Sequence, residues 1–458
     1  MAQTKEDLAF LKSAYARLSD APLVAGEERF DQFYEPIYSQ SAVDDPVATL
    51  SKTIELSDSQ SIQLFSGFSG SGKTTELFRL KRELEKADYI VLYANALEYV
   101  NPAEPIDISD LLIVLAGAFG QAIKDRDGID PAFESFWDRL KHFLTSTELQ
   151  VSHAGLSAEA RSPLSNVVGG LKAGIDLRAE LKTASSFRQD LRRILSNRLA
   201  ELTGRVCKFF EDGVKALRNL YGAETQIVFI FDQLEQMRGT FETEQAVIAS
   251  LDRVFSSHID LLKVPYVHMV YTVPPWMKFV GRLAVPMRVL STVHLWHNDA
   301  ERRRNPECWE MFRSVVRRRL GKDGLMRVFG NPDGDGSIDQ VIAMCGGHIR
   351  DLLRMLRDML VRAPALPVTA EVVTAAINGA RREFLPLSLE DARRLDRIAT
   401  TRISGLGTND PEEISRLSRL IDHHAVLYFT NGDDWYDVHP LLRDEIGKVL
   451  VASGEAAS

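Results

Sequence analysis

Five short runs of consecutive apolar residues punctuate the chain: 62–65 (IQLF), 89–94 (YIVLYA), 226–231 (QIVFIF), 266–273 (YVHMVYTV) and 289–295 (VLSTVHL). Each has the length and make-up of a buried strand. Between them apolar residues return every three or four positions. This predicts helices after 74 (Leu77, Leu80), over 107–122 (Ile108, Leu111, Leu112, Leu115, Phe119) and over 276–285. Strand, helix, strand at this spacing implies right-handed crossovers and a parallel sheet. Ahead of the sheet, Leu8, Leu11, Ala14, Tyr15 and Leu18 mark a helix over 5–18. An aromatic segment follows (Phe30, Phe33, Tyr34, Tyr38), suited to packing on the sheet domain or a partner, and Asp45-Pro46 opens a short helix.

Beyond residue 299 the strand runs stop. Helical spacing covers 306–320, 337–345, 349–362 and 369–384, then 389–402 and 411–423. A hairpin follows, 425–430 (AVLYFT) and 435–438 around Asn431-Gly432, and His439-Pro440 opens a closing helix. Helices followed by a hairpin resemble a winged helix. The expected fold class is therefore α/β: a parallel sheet with helices, then a helical lid and a C-terminal winged-helix domain. The expected divisions are 1–40 for an N-terminal helical segment, 41–298 for the core, 299–385 for the lid and 386–458 for the winged helix.

Residues 125–220 interrupt the sheet pattern as a long insertion, mostly of helical period (133–143 and 187–220). Within it, 171–181 alternates strictly: Leu171, Ala173, Ile175, Leu177, Ala179 and Leu181 against polar residues or glycine. That is a strand period, and 150–156 would supply a partner strand. Such a hairpin either decorates the surface or contacts DNA, a partner or a neighbouring subunit.

The chemistry concentrates at 67–75 (GFSGSGKTT), directly after the first apolar run. Gly67, Phe68, Ser69, Gly70, Ser71, Gly72, Lys73, Thr74 and Thr75 match the P-loop pattern G-x-x-x-x-G-K-T, with its strand before and its helix after. Glycines let backbone N–H groups approach a polyphosphate closely, and the helix N-terminus adds its dipole. Lys73 is the candidate for the β- and γ-phosphates, and the Thr74 hydroxyl for Mg²⁺. The run 226–231 ends on Asp232, a second candidate ligand for Mg²⁺. Glu235, three residues on, is the candidate to polarise an attacking water. Thr272 closes the fourth run, where a polar side chain can face a γ-phosphate. Arg282 and Arg288 flank the start of the fifth run, suited either to an arginine finger in a neighbouring subunit or to a surface ion pair. Arg350 follows the pair Gly346-Gly347 on the first turn of a helix and can swing over phosphates.

Composition changes this picture little. The 458 residues carry a net charge of −9, so no global positive field attracts nucleic acid. Two local runs, Arg302, Arg303, Arg304 and Arg317, Arg318, Arg319, suit either DNA or RNA phosphates or solvated ion pairs. Cys207, Cys308 and Cys345 are too scattered for a metal or disulfide pattern. No apolar stretch is long enough to span a membrane, and the first residues lack a signal-peptide core, so a cytoplasmic location is expected.

In this order (P-loop, Asp-terminated strand, strand-end threonine, lid with Gly-Gly-x-x-Arg, winged helix) the parts resemble the AAA+/STAND group of P-loop ATPases. The branch with origin-recognition-complex-like and bacterial conflict-system ATPases is the most similar. The resemblance covers about residues 41–450. It implies that Arg350 acts as sensor 2, Thr272 as sensor 1 and Arg282 as the arginine finger. Gln233 stands where many members carry a second acid, which implies slow hydrolysis. The expected protein is an ATP-binding switch and ATPase, using ATP and Mg²⁺ and self-associating, with a protein partner at the winged helix or the 125–220 insertion. A role in bacterial defence or signalling fits this. The rivals are a DNA-binding initiator, loader or transposition-type ATPase, and a nucleotide-gated scaffold with little turnover. No guanine-reading N-K-x-D follows the sheet strands, which favours ATP over GTP.

Overall fold

The computed structural model describes residues 5–39, 45–128, 140, 182–280, 283–299, 301–334, 336–405, 410–431 and 433–454. The expected hairpin at 150–156 and 171–181 and the helix expected over 133–143, Leu140 apart, lie outside the described residues. The chain divides into two compact units.

One unit comprises Leu50–Ser66 and Lys81–Arg288. Its frame is a sheet of five strands: β1 (Ser61–Gly67), β2 (Ile90–Asn95), β3 (Ile227–Asp232), β4 (His268–Thr272) and β5 (Met287–Leu290). Their order is β2-β3-β4-β1-β5. β2 and β3, β3 and β4, and β4 and β1 pair in parallel, as the alternation of apolar runs with helices predicts. Register aligns the strand ends, Asn95 opposite Asp232, Phe231 opposite Tyr271 and Phe65 opposite Thr272. Helix Ile108–Asp127 is apolar almost all round and is buried along most of its length, capped by Asp107 in a reciprocal capping box with Asp110. Helix Leu199–Tyr221 packs on it, with Phe119 stacked on Phe210 at 4.3 Å. The helical period expected over 187–220 is split into Ser185–Leu195 and Leu199–Tyr221.

The fourth strand, the helix after it and the fifth strand also depart from the expected bounds. Tyr266 has φ 61°, a turn conformation, so β4 begins only at His268. The helix expected over 276–285 spans Met277–Val280, and residues 283–286 are not helical. Pro286 accounts for part of this, since the residue before a proline is steered away from the helical region. β5 lies two residues earlier than expected, at Met287–Leu290. Beyond it the backbone N–H of Thr292 is taken by the carbonyl of Tyr428 instead of a neighbouring strand of the sheet.

The other unit comprises Met1–Thr49, Gly67–Leu80 and Val289–Ser458. It joins the phosphate loop to four helices, Pro306–Phe329, Ser337–Met344, Ile349–Arg362 and Ala370–Arg382, which form the lid. The first is kinked at Gly321 (φ 71°, ψ 169°), whose backbone is not helical, so one helix ends at the expected 320 and a second runs on to Phe329. Helix Lys5–Arg17 packs against Pro306–Phe329 and Ile349–Arg362. The winged helix follows: helices Leu389–Thr401 and Pro411–Asp422, an antiparallel hairpin of β6 (Val426–Asn431) and β7 (Asp433–Val438), and helix Arg443–Ala452. Its wing is tied by Leu427, Phe429 and Trp435, the last two stacked at 4.1 Å.

Candidate functional site

The phosphate loop is held from several sides within its own unit. Gly70 and Gly72 have φ +81° and +94°, values that only glycine adopts without strain, so two of the three loop glycines are required by backbone shape. The third, Gly67, is required by space: a Cβ there would lie 3.0 Å from the Leu290 Cβ. The Ser71 hydroxyl and N–H both return to the Phe68 carbonyl, at 2.9 and 3.2 Å, closing the turn. The buried Tyr38 hydroxyl donates to the Ser71 carbonyl at 2.7 Å, and the Leu23 N–H donates to Thr75 Oγ1 at 3.1 Å. The aromatic segment singled out by sequence therefore packs on the loop itself. Burial pushes the Tyr38 phenol above its ordinary value and keeps it a neutral donor. Lys73, the first residue of helix Lys73–Lys86, is buried, and Arg79 on the same helix is forked to Asp45.

The lid reaches the loop through one turn. Arg350 Nη1 donates to the Ser69 hydroxyl at 2.8 Å, and the His348 ring Nε2 lies 2.6 Å from the Ser69 carbonyl. The Arg350 backbone N–H points at the Gly70 carbonyl at 3.4 Å. Gly346 and Gly347, at φ +63° and +85°, make the turn that delivers both side chains. At Gly347 any Cβ would run into the Val293 carbonyl oxygen at 1.8 Å. Sequence reading had Arg350 but gave His348 no role. Its signal was its place between the glycine pair and the arginine. Asp20 holds Arg354 (3.0 Å) and Arg357 (3.3 Å) of the same lid helix. Burial would raise the Asp20 carboxyl, but its bond to Arg354 and the charges of Arg354 and Arg350 together outweigh this and keep it below its ordinary value.

In the sheet unit, Asp232, Glu235 and Thr272 come together at the carboxyl ends of β3 and β4. Asp232 is fully buried, and its two oxygens accept from the Tyr93 hydroxyl (2.9 Å) and the Gln233 N–H (2.7 Å). Gln233 stands at φ 73°, and this reversal opens a short 3-10 turn, Leu234–Gln236, in which Glu235 is buried. The Thr272 hydroxyl accepts from the Leu234 N–H at 3.2 Å, pinning this turn to β4. Tyr93 was missed by sequence reading; it stands two residues before the end of β2, opposite Ile230, and only its long side chain carries the hydroxyl to Asp232. Burial, then the neighbouring Asp232 charge, raises the Tyr93 phenol above its ordinary value, so it stays a donor. Asn95 caps a 3-10 turn through the Leu97 N–H.

The arginine candidates fare differently. Arg282 lies outside the described residues. Arg288 donates to Thr53 Oγ1 at 2.7 Å. The two arginine runs are engaged within the chain. Arg302 faces Asp437, Arg303 Asp299 and Arg304 Asp339. Arg317 pairs with Glu310 and Arg318 with Glu35, while buried Arg319 donates to the carbonyls of Arg17 and Ser19. Of the alternatives open from sequence, the ion-paired one describes these runs. Among the described residues no helix is long and apolar enough to cross a membrane.

No protein-family model matches the chain, and no curated protein matches it. Among solved structures it is similar to the Aeropyrum pernix ORC2 protein in its ADPNP-ADP complexes, with 13% identity and a TM-score of 0.39 over 96% of this chain and 98% of that one. The ADP form of the same protein gives 11% identity and a TM-score of 0.40 over the same shares, 96% and 98%. Cdc6p from Pyrobaculum aerophilum gives 12% identity and a TM-score of 0.33 over 91% of this chain and 98% of that one. The likeness runs along nearly the whole chain but is loose, and neither fold nor role is taken from it.

Proposed function

We propose that this chain is an ATP-binding switch and ATPase of the AAA+/STAND type, in which ATP occupancy sets the position of the lid and winged helix. One observation carries this reading: a complete P-loop between β1 and helix Lys73–Lys86 is gripped at Ser69 by a lid arginine and a lid histidine.

The residues present fit a nucleotide and its metal. The loop's positive-φ glycines leave N–H groups for a polyphosphate, and at Gly72 a Cβ would meet nothing within 4 Å. The Thr74 hydroxyl and the Asp232 carboxylate are each an oxygen donor of the kind that Mg²⁺ takes. The bound metal would neutralise phosphate charge. Lys73 would hold the β- and γ-phosphates, and Arg350 would exchange its Ser69 bond for a phosphate oxygen. Glu235 would orient the attacking water, with Thr272 fixing the turn that carries it. Arg282 would act as a finger on a neighbouring copy, so self-association belongs to this reading. The physiological role would be regulation in a bacterial defence or signalling system, through a partner at the winged helix or the 125–220 insertion. The initiator reading would need cationic surface elsewhere than the two arginine runs, whose side chains are engaged internally.

The test is nucleotide binding and turnover by the full chain. Lys73→Ala should abolish ATP binding, and ATP bound undiminished by that variant would remove the central claim. Turnover unchanged in Glu235→Gln would remove Glu235 from its role. Salt-dependent DNA binding lost on neutralising Arg317 and Arg318 would favour the initiator reading.

A further inference from the structure

Where the lid meets the winged helix, three imidazoles converge on one carboxylate. His348 Nδ1 lies 3.1 Å from Asp351 Oδ2, His439 Nε2 lies 3.4 Å from it and His424 Nδ1 lies 3.7 Å from it. His348 and His439 are fully buried, and the side chains of His424 and Asp351 are 12% and 15% exposed. Yet His348 Nδ1, Asp351 Oδ2 and His439 Nε2 make no hydrogen bond of acceptable geometry among the described residues. The groups are close but not aimed at one another as donor and acceptor.

Proton placement sharpens the point. The Ser69 carbonyl only accepts, so the His348 Nε2 at 2.6 Å must carry a proton. In the neutral ring Nδ1 is then a lone pair, and it faces an anionic oxygen at 3.1 Å. Two acceptors at that distance repel unless a cation lies between them. An imidazole whose far N–H is anchored on a backbone carbonyl is the usual outer arrangement of a metal-bound histidine. His439 differs: its Nδ1 accepts the Leu441 N–H at 3.3 Å, so its proton sits on Nε2, toward Asp351. It is a donor that orients the carboxylate, and not a ligand.

We propose that His348, Asp351 and His424 form a site for a divalent transition-metal cation of the zinc class, with His439 holding the carboxylate. Zinc bonds of about 2.0 Å in a tetrahedron set neighbouring ligand atoms about 3.3 Å apart. The two ligand separations from Asp351, 3.1 and 3.7 Å, bracket that edge, and the three ligand atoms all lie within 4.8 Å of one another. Two imidazoles and one carboxylate leave a fourth position for water. Backbone shape serves the same end. His348 and Asp351 are three apart at the start of helix Ile349–Arg362 and share a face. His424 sits at φ 58°, a strained conformation for a histidine, which turns its ring inward just before β6. The cation would clasp the winged helix to the lid at the very turn that reads the phosphate loop.

The site does not depend on nucleotide, and neither does its test. The full chain is stripped with a chelator, and Zn²⁺ is titrated against a chromophoric competitor without nucleotide but with excess Mg²⁺. One equivalent should bind. Asp351→Asn and His424→Ala, each folded by circular dichroism, should lose it. His439→Gln should weaken it by about 10–100-fold, as loss of an outer-sphere partner does. Co²⁺ in place of Zn²⁺ should give the visible absorption of a four-coordinate site, and Lys73→Ala should leave zinc binding unchanged. A folded wild-type chain that takes up no zinc, or takes it up equally in the ligand variants, overturns the proposal. The cluster would then be a protonated His348 paired with Asp351, seen as two N–H resonances on that ring.

Discussion

Gly70→Ala tests whether the lid really closes on the phosphate loop. Two costs arise at this position. At φ +81° a side chain is strained, by roughly 1–2 kcal/mol for a residue with a Cβ. The new Cβ would also lie 2.6 Å from His348 Cε1 and 2.8 Å from Arg350 Cβ. Neither neighbour can yield freely: the His348 ring is buried against the Ser69 carbonyl, and the Arg350 Cβ belongs to the first turn of a helix. Overpacking of this kind costs about 1–3 kcal/mol. Gly72→Ala is the control, because its φ of +94° carries the same backbone cost while its Cβ would meet nothing within 4 Å. Urea unfolding of both variants without nucleotide isolates the steric part. Gly70→Ala should have the lower midpoint, by roughly 0.5–1.5 M for a slope of about 2 kcal/mol per molar. Coincident midpoints would refute the contact between lid and loop.

Three further outcomes follow from buried polar groups. His268 is fully buried on β4 and burial lowers it from 6.5 to about 4, so below 6.5 the unfolded chain takes up a proton that the folded chain refuses. Stability should therefore fall as pH drops from 6.5 toward 4, by up to about 3 kcal/mol from this residue; thermal melts of wild type and His268→Gln across that range should converge as pH falls if the reasoning holds. Tyr93→Phe removes a donor from the buried Asp232 carboxylate and should cost about 1–3 kcal/mol in urea unfolding, and an unchanged midpoint would show that the bond contributes nothing. Ser69→Ala deletes the hydroxyl held by Arg350 but keeps the carbonyl at His348. It should cost about 1–2 kcal/mol without nucleotide and less with ATP bound, and an equal cost in both states would argue against Arg350 leaving Ser69 for a phosphate.

The sheet was legible because its strands are buried on both faces and read as continuous apolar runs, such as 226–231, whose end at Asp232 the structure keeps. The loop was legible because φ restricts it to glycine at fixed spacing. Strand ends were less so. Nothing in the letters of 289–295 says that the Thr292 N–H goes to Tyr428, a partner more than a hundred residues away. Tyr93 was missed, and Tyr38 was read only as a packing residue, for the same reason, since each acts through a hydroxyl whose acceptor is distant in sequence. The arginine runs stayed open between two readings because a run of cations looks alike whether it faces solvent or the carboxylates of Asp437, Asp339 and Glu35.

Ser69 is where the lid's two signals meet, and the geometry keeps them distinct. Arg350 holds a side-chain hydroxyl, a bond that a phosphate oxygen can replace. His348 donates its Nε2–H to the carbonyl, and its ring is buried (1% exposed) where the Arg350 side chain is 29% exposed, so the histidine has far less freedom to leave for a phosphate. On the proposed function, nucleotide would therefore release the arginine while the histidine remains, and the glycine pair Gly346-Gly347 would pivot about that fixed point. His348 continues through Asp351 to His424 and His439, which bracket the wing strands β6 and β7. The rigid half of the lid turn is thus the half wired to the winged helix. A change at the arginine alone would reach the wing as a rotation of helix Ile349–Arg362 about the histidine, and not as a detachment of the lid.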